Sequence, residues 1–173
     1  MQAWSTFYAT IGAASATLLG LLFVAVSVNA VAALGAGDRL TSAMTEQAFQ
    51  NYLAVLLVAL LALFPDLSPQ TFGIVALLAL ASRGAWLAIR LYQIARLAAP
   101  RRLTIHAARR HLTSVLGFAL LLIATFSMAR GRTDDYHTLA SATIVLLFSA
   151  TTVSWELLRR IANRDASAPA TTT

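Results

Sequence analysis

No cysteine occurs in the chain, which excludes disulfides, thiol nucleophiles and thiolate metal sites. Lysine is missing as well, so all 13 basic side chains are arginine. A phosphate-binding glycine-rich loop with its lysine is therefore excluded, and the all-arginine set is what a GC-rich coding sequence would produce. Charge of either sign is scarce, at 12% of residues against a soluble norm of about 25%. The three histidines lie at segment ends, and there is no His-Glu-x-x-His, no Gly-x-Ser-x-Gly and no pair of aspartates within an apolar segment. Neither an enzyme nor a bound cofactor is expected.

Apolar residues fill the space left by charge, at 58% of 173 residues. A soluble domain of this size needs more polar surface, whereas a bilayer supplies an apolar solvent. The net charge of +6 raises nucleic acid as a partner. The arginines, however, flank apolar segments, where lipid headgroups are the nearest phosphates, and no nucleic-acid partner is expected.

Residues 1–37 carry no charged side chain, and a membrane helix needs about 20 mostly apolar residues. At about 100° per residue, Ala9, Gly12, Ala13, Ala16, Gly20 and Ser27 fall on one side, with Phe23 the one large member. Leu18, Leu21, Leu22, Val28 and Asn29 fall roughly opposite. Small residues let backbones approach closely, which is how membrane helices associate, so Gly12, Ala16, Gly20 and Ser27 are candidate packing positions, within the chain or between copies. Ala30-Val31-Ala32 resembles a signal-peptide cleavage site, yet no basic segment precedes the apolar run, and the run exceeds the usual length of about 7–15 residues. A retained helix is expected.

Four more apolar segments follow, at about 45–64, 71–92, 112–128 and 136–158. A polar connection covers Asp38–Glu46, and Gln47, Gln50 and Asn51 make the first turns of the second segment polar. Pro65-Asp-Leu-Ser-Pro69 is a turn, with two fixed φ angles around an Asp and a Ser. Pro100 suits the start of a helix that can run on into the fourth segment. Gly131 suits the left-handed position at its end. The fifth segment is rich in Ser and Thr, which can bond their own i−4 carbonyls or reach a neighbouring helix. The expected architecture is an all-α, polytopic transmembrane bundle of about five spans over residues 1–164, with a polar disordered tail at 165–173.

Arginine asymmetry orients the bundle. With 96–111 inside, Arg39, Arg96, Arg101, Arg102, Arg109, Arg110, Arg159, Arg160 and Arg164 are inside, and only Arg130 and Arg132 are outside. The N-terminus is then outside and the C-terminus inside. Arg96, Arg101, Arg102, Arg109 and Arg110 form a candidate anionic-lipid site, although the same charges can serve topology alone. Arg83 falls near the middle of the third segment, where a guanidinium must face the bundle interior or water. With Asn29 it is a candidate for a polar pathway. The alternatives are hydrogen bonds to helix carbonyls and to Thr17, Ser149 or Thr152, or snorkelling to the interface, for Arg83, and helix joining or capping for Asn29. Arg90 and Glu156 lie at similar expected depths and form a candidate interfacial ion pair. Asp134, Asp135 and His137 are too close in sequence to converge on a metal ion, and no metal site is expected.

Phe7-Tyr8-x-x-x-Gly12, followed by Gly20-Leu-Leu-Phe-Val-Ala-Val-Ser27, resembles the start of small bacterial multi-span membrane proteins, some of them labelled modulators of the FtsH protease. That resemblance covers roughly the first 30 residues and implies a bacterial inner-membrane location. Ser15-Ala16-x-Leu18-x-Gly20-x-x-x-Val24-Ala25 is also similar to the pore helix of Orai calcium channels, but Val28 stands where the calcium-selecting Glu would be, so calcium is not implied. Two function classes are expected from these features. The first, toward which Arg83 and the Ser/Thr-rich fifth segment tilt the reading, is a homo-oligomeric pore or small transport protein packed through its first helix. The alternative is an accessory or regulatory subunit of a larger membrane complex, such as a membrane protease.

Overall fold

The computed structural model describes residues 2–29, 39–81, 105–132 and 136–167, and among these residues it contains five helices and no strand. They are α1 (Gln2–Val28), α2 (Arg39–Ala62), α3 (Pro69–Ala81), α4 (Ile105–Ala129) and α5 (Tyr136–Ser167).

Two helix boundaries differ from the sequence reading. α2 begins at Arg39, so most of the expected polar connection is helical. Thr41, Met44, Thr45 and Ala48 share one face and bury it, and the Thr45 hydroxyl donates to the Thr41 carbonyl at 3.0 Å. These threonines therefore join the helix without needing water. α4, Ile105–Ala129, carries the basic stretch into the apolar one without a break, in keeping with the sequence reading, whose expected start at Pro100 lies outside the described residues. α5 runs to Ser167, past the expected start of the tail at Asp165. It has no breaker until Pro169, and a residue before proline disfavours the helical conformation.

The turn residues act as their chemistry dictates. Ser68 caps α3, its hydroxyl accepting the Thr71 N–H at 3.1 Å, and Pro69 takes the first helical position. Asp66 adopts a left-handed φ of 57° in the preceding turn. Gly131 ends α4 with φ of 86°. There the Gly131 N–H donates to the Met128 carbonyl at 2.9 Å and the Arg132 N–H to that of Ser127 at 3.3 Å. This is the paired C-terminal bonding that only a left-handed residue permits readily.

α2 and α5 are central. α2 packs on α1 and α5, and α5 packs on α2 and α4. α3 lies against α4 at Gly73. The interior has two apolar layers. Tyr8, Val55, Val58, Phe72, Leu121, Met128 and Leu139 belong to one. Leu22, Met44, Ala48, Tyr52, Val153, Leu157 and Ile161 belong to the other. We refer to the two ends of the bundle as the Tyr8 end and the Ile161 end.

Among the described residues, two helical stretches are long and apolar enough to cross a membrane, Trp4–Val28 and Tyr136–Ala162. α2 falls short because Glu46, Gln47, Gln50 and Asn51 occupy its first half. Within the described residues the apolar stretches Pro69–Ala81 and Thr113–Ala129 are shorter, and the rest of the expected third segment, to about residue 92, lies outside the described residues. The two long helices differ in position. Of the apolar window in α1, 17% is buried inside the bundle, against 44% in α5, so α1 is the peripheral helix.

Candidate functional site

A polar layer separates the two apolar layers. Asn51 of α2 is buried at 1% exposure. Its carboxamide oxygen accepts the Ser114 hydroxyl of α4 at 3.0 Å, and its amide nitrogen donates to the Ser149 hydroxyl of α5 at 3.4 Å. Ser149 also lies 3.4 Å from the Thr113 hydroxyl of α4. One carboxamide thus joins three helices, as polar side chains do where little water competes. A second set of bonds centres on Tyr52. The Ser15 hydroxyl of α1 donates to the Tyr52 carbonyl at 2.7 Å, and the Tyr52 phenol lies 3.4 Å from the hydroxyls of both Thr151 and Ser154.

Close to this layer, three polar atoms are buried without a hydrogen-bond partner: the amide nitrogen and oxygen of Gln47 and the amide oxygen of Gln50. Gln47, Gln50, Asn51 and Ala54 are spaced i, i+3, i+4 and i+7, so they lie along one side of α2.

The outer face of α1 is built of different residues. Thr6, Ala9, Thr10, Ala13, Ala16, Thr17, Gly20 and Ser27 are all exposed. The Thr10 hydroxyl donates to the Thr6 carbonyl at 2.8 Å and that of Thr17 to the Ala13 carbonyl at 2.9 Å, so these hydroxyls are turned back onto their own helix. Nothing lies within 4 Å of the position a Gly20 Cβ would take. Gly12, by contrast, is buried against α2, and a Cβ there would come within 3.1 Å of the Ala59 Cβ. The four candidate packing positions therefore divide. Gly12 serves contact within the chain, whereas Ala16, Gly20 and Ser27 face outward.

The other candidate residues are placed as follows. Asn29 is half-buried in the last turn of α1, and its amide nitrogen donates to the Ala25 carbonyl of the same helix at 3.1 Å. Glu156 pairs within α5, at 3.1 Å from the Arg160 guanidinium and 4.0 Å from that of Arg159. Its candidate partner Arg90 lies outside the described residues, as do Arg83, Arg96, Arg101 and Arg102. Arg109 and Arg110 fall on the opening turns of α4. Of the side chains weighed as partners for Arg83, Thr17 points away from the bundle, Thr152 donates to the Ser149 carbonyl at 2.9 Å, and Ser149 belongs to the Asn51 set. Asp134 and Asp135 are outside the described residues, and the ring of His137 meets that of Trp4 edge-on at 4.8 Å.

Sequence reasoning noted Gln47, Gln50 and Asn51 only as a polar start to a helix and did not single out Asn51 as a junction. The available signal was an asparagine four residues after a glutamine, where the polar start meets the apolar remainder. Ser114 carried no such signal, since a lone serine in an apolar helix commonly bonds its own backbone. A scan against protein-family models finds no match to this chain, and searches of curated proteins and of solved structures also find none.

Proposed function

We propose that this chain is a non-enzymatic, multi-pass membrane protein that works by lateral association, as an accessory or regulatory subunit of a larger membrane complex. Apolar side chains stand exposed on all five helices, among them Val24, Leu60, Leu78, Ile123 and Phe148, while Asn51, Ser114, Thr125, Thr143 and Ser149 are buried. Lipid suits such an exterior, and water does not. The five-span topology, with the N-terminus outside and the C-terminus inside the bacterial inner membrane, belongs to this reading, as do contacts of the inner arginines with anionic headgroups. The observation that carries it is the outward face of α1, which offers a second helix close approach at Ala9, Ala13, Ala16 and Gly20. With the hydroxyls of Thr10 and Thr17 folded back on their own helix, that face suits a partner helix better than a water-filled path.

A homo-oligomeric pore or transport protein is the second reading. The polar side chains at mid-bundle favour it, together with the arginine that the sequence sets at position 83. Ala16→Cys tests the two, because the new thiol is the only one in the chain. Oxidised in native membranes, it should give adducts whose mass is not a multiple of this chain. Disulfide dimers of the chain, together with ionic current from the purified protein in liposomes, would replace the accessory reading with the pore. In that case Arg83→Gln should shift the reversal potential toward cations.

A further inference from the structure

Three helices of the bundle share a charge-free interval of one length. No Asp, Glu or Arg occurs at 47–65, from α2 into the turn that follows, at 111–129 in α4 or at 136–155 in α5. At 1.5 Å per residue each interval spans about 30 Å, the thickness of a hydrocarbon core. The charges that bound these intervals at the Ile161 end lie at one depth. Asn51 bonds both Ser114 and Ser149. Glu46 is five residues from Asn51, Arg110 four from Ser114 and Glu156 seven from Ser149, so all three stand about 6–10 Å from that layer. On α5 the interval ends at Trp155, beside Glu156. Trp155 is 70% exposed, and Trp is enriched where helices pass from hydrocarbon to headgroups.

Trp155 belongs to a stripe on the outer side of α5. Ile144, Phe148, Trp155 and Arg159 fall within about 60° of one another around the helix, and the first three are exposed. Between Phe148 and Trp155, the Thr151 hydroxyl donates to the Leu147 carbonyl at 2.9 Å. From Ile144 to Trp155 the stripe rises about 16 Å, half the thickness of the hydrocarbon core. No Gly or Ala lies in it, so it keeps a second helix at a distance, unlike the small-residue face of α1. An acyl chain, which bends to fit, suits it better. At its upper end Glu156 faces two guanidiniums, Arg160 at 3.1 Å and Arg159 at 4.0 Å. One carboxylate neutralises one of them, and Arg160 is the nearer. Arg159, 67% exposed, is left as the charge in excess, with donors for a phosphate. We propose that this stripe binds an anionic phospholipid of the leaflet at the Ile161 end. An acyl chain lies along Ile144 and Phe148, the glycerol region beside Trp155 and the phosphate at Arg159.

This site rests on the membrane reading and adds to it a lipid class and a place on the chain. Its test uses Trp155 as the reporter, the other tryptophans being removed by Trp4→Phe and Trp86→Phe. The protein is placed in liposomes of equal phosphatidylcholine and phosphatidylglycerol, with bromine on the acyl chains of one lipid or the other. Brominated phosphatidylglycerol should quench Trp155 more, reporting about fivefold enrichment beside it, the factor expected for one arginine near a charged surface. Arg159→Gln should bring the two lipids level, and Arg159→Lys, which keeps the charge, should restore most of the difference. Bromines near the glycerol should quench more than bromines near the chain end. Equal quenching by both lipids, or an excess that survives Arg159→Gln, would overturn the site. Stronger quenching from the chain end would overturn its depth. Absence of quenching in protein that stays with the membrane fraction would mean that a protein partner covers this face, and would overturn the site as well. Protein recovered in the soluble fraction would instead remove the membrane reading itself. Variants are compared only where they elute at the size of the unsubstituted protein. A second measurement keeps all tryptophans: in native mass spectra Arg159→Gln should retain fewer phosphatidylglycerol molecules than the unsubstituted chain, and equal retention would overturn the site.

Discussion

Gly73 of α3 lies so close to α4 that a Cβ on it would come within 2.7 Å of the Thr125 carbonyl oxygen and would also strike the Ala129 backbone nitrogen. Backbone meets backbone at this crossing, with no side chain able to yield. Gly117 of α4 is crowded differently, since a Cβ there would come within 2.8 Å of the Leu146 side chain, which can rotate.

The first prediction follows from that contrast. Gly117→Ala should cost about 1–3 kcal/mol, the ordinary range for overpacking. Gly73→Ala should cost more, because the helices themselves must separate. Thermal unfolding of the two variants in one detergent should show the larger drop in midpoint for Gly73→Ala. A smaller drop than for Gly117→Ala would mean that α3 and α4 can part at little cost.

The second prediction separates the two roles of small residues on α1. Gly12→Leu should destabilise the protomer, since Ala59 already occupies the space a side chain would need. Gly20→Leu should leave the protomer within about 0.5 kcal/mol of its original stability, as exposed substitutions generally do, while weakening whatever associates with that face. The checks are unfolding midpoints together with cross-linking through Ala16→Cys. Unchanged cross-linking in the Gly20→Leu background would exclude this face as the association surface.

The third prediction concerns the Asn51 layer. A double-mutant cycle with Asn51→Leu and Ser114→Ala should give a coupling near 0.6 and no more than about 1.7 kcal/mol, the range found for hydrogen bonds between membrane helices. Asn51→Leu should cost more than Ser114→Ala, because it breaks the links to Ser114 and Ser149 together. Zero coupling would show that the 3.0 Å contact contributes nothing to stability.

The fourth prediction is orientation. Reporter fusions placed at Pro69 and at Thr173 should report opposite sides of the membrane, with Thr173 inside. Reports from the same side would reduce the number of crossings, and α2, whose first half is polar, would be the helix to reassign.

Much of the local structure was legible in the sequence. The uncharged run before residue 38 predicted a long helix, and α1 is one. Pro65-Asp-Leu-Ser-Pro69 predicted a turn and Gly131 a helix stop, and both are present, with Ser68 in addition capping α3 through a hydrogen bond the sequence reading did not name. The serines and threonines of α5 do both things their chemistry allows. Ser141 donates to the His137 carbonyl at 2.9 Å, and Ser149 reaches across to α2. The polar segment from Arg39 to Glu46 was misread as a connection, because composition alone does not reveal that Leu157 and Ile161 wait to cover Met44 and Ala48.

Composition and periodicity by themselves determined that the chain is helical and where several helices begin and end, whereas they gave about five spans, of which two helices among the described residues are long and apolar enough to cross a membrane. Those properties depend on groups within a turn or two of one another. Which way α1 faces was settled only by tertiary packing. Its sequence puts Gly12, Ala16 and Gly20 on one side, but whether a small residue receives a neighbour within the chain depends on Ala59, more than 40 residues away. Asn51 likewise becomes a junction only because two other helices bring Ser114 and Ser149 to it. A polar side chain in an apolar helix must find a partner, and the sequence shows that need without showing which residue, far along the chain, will meet it.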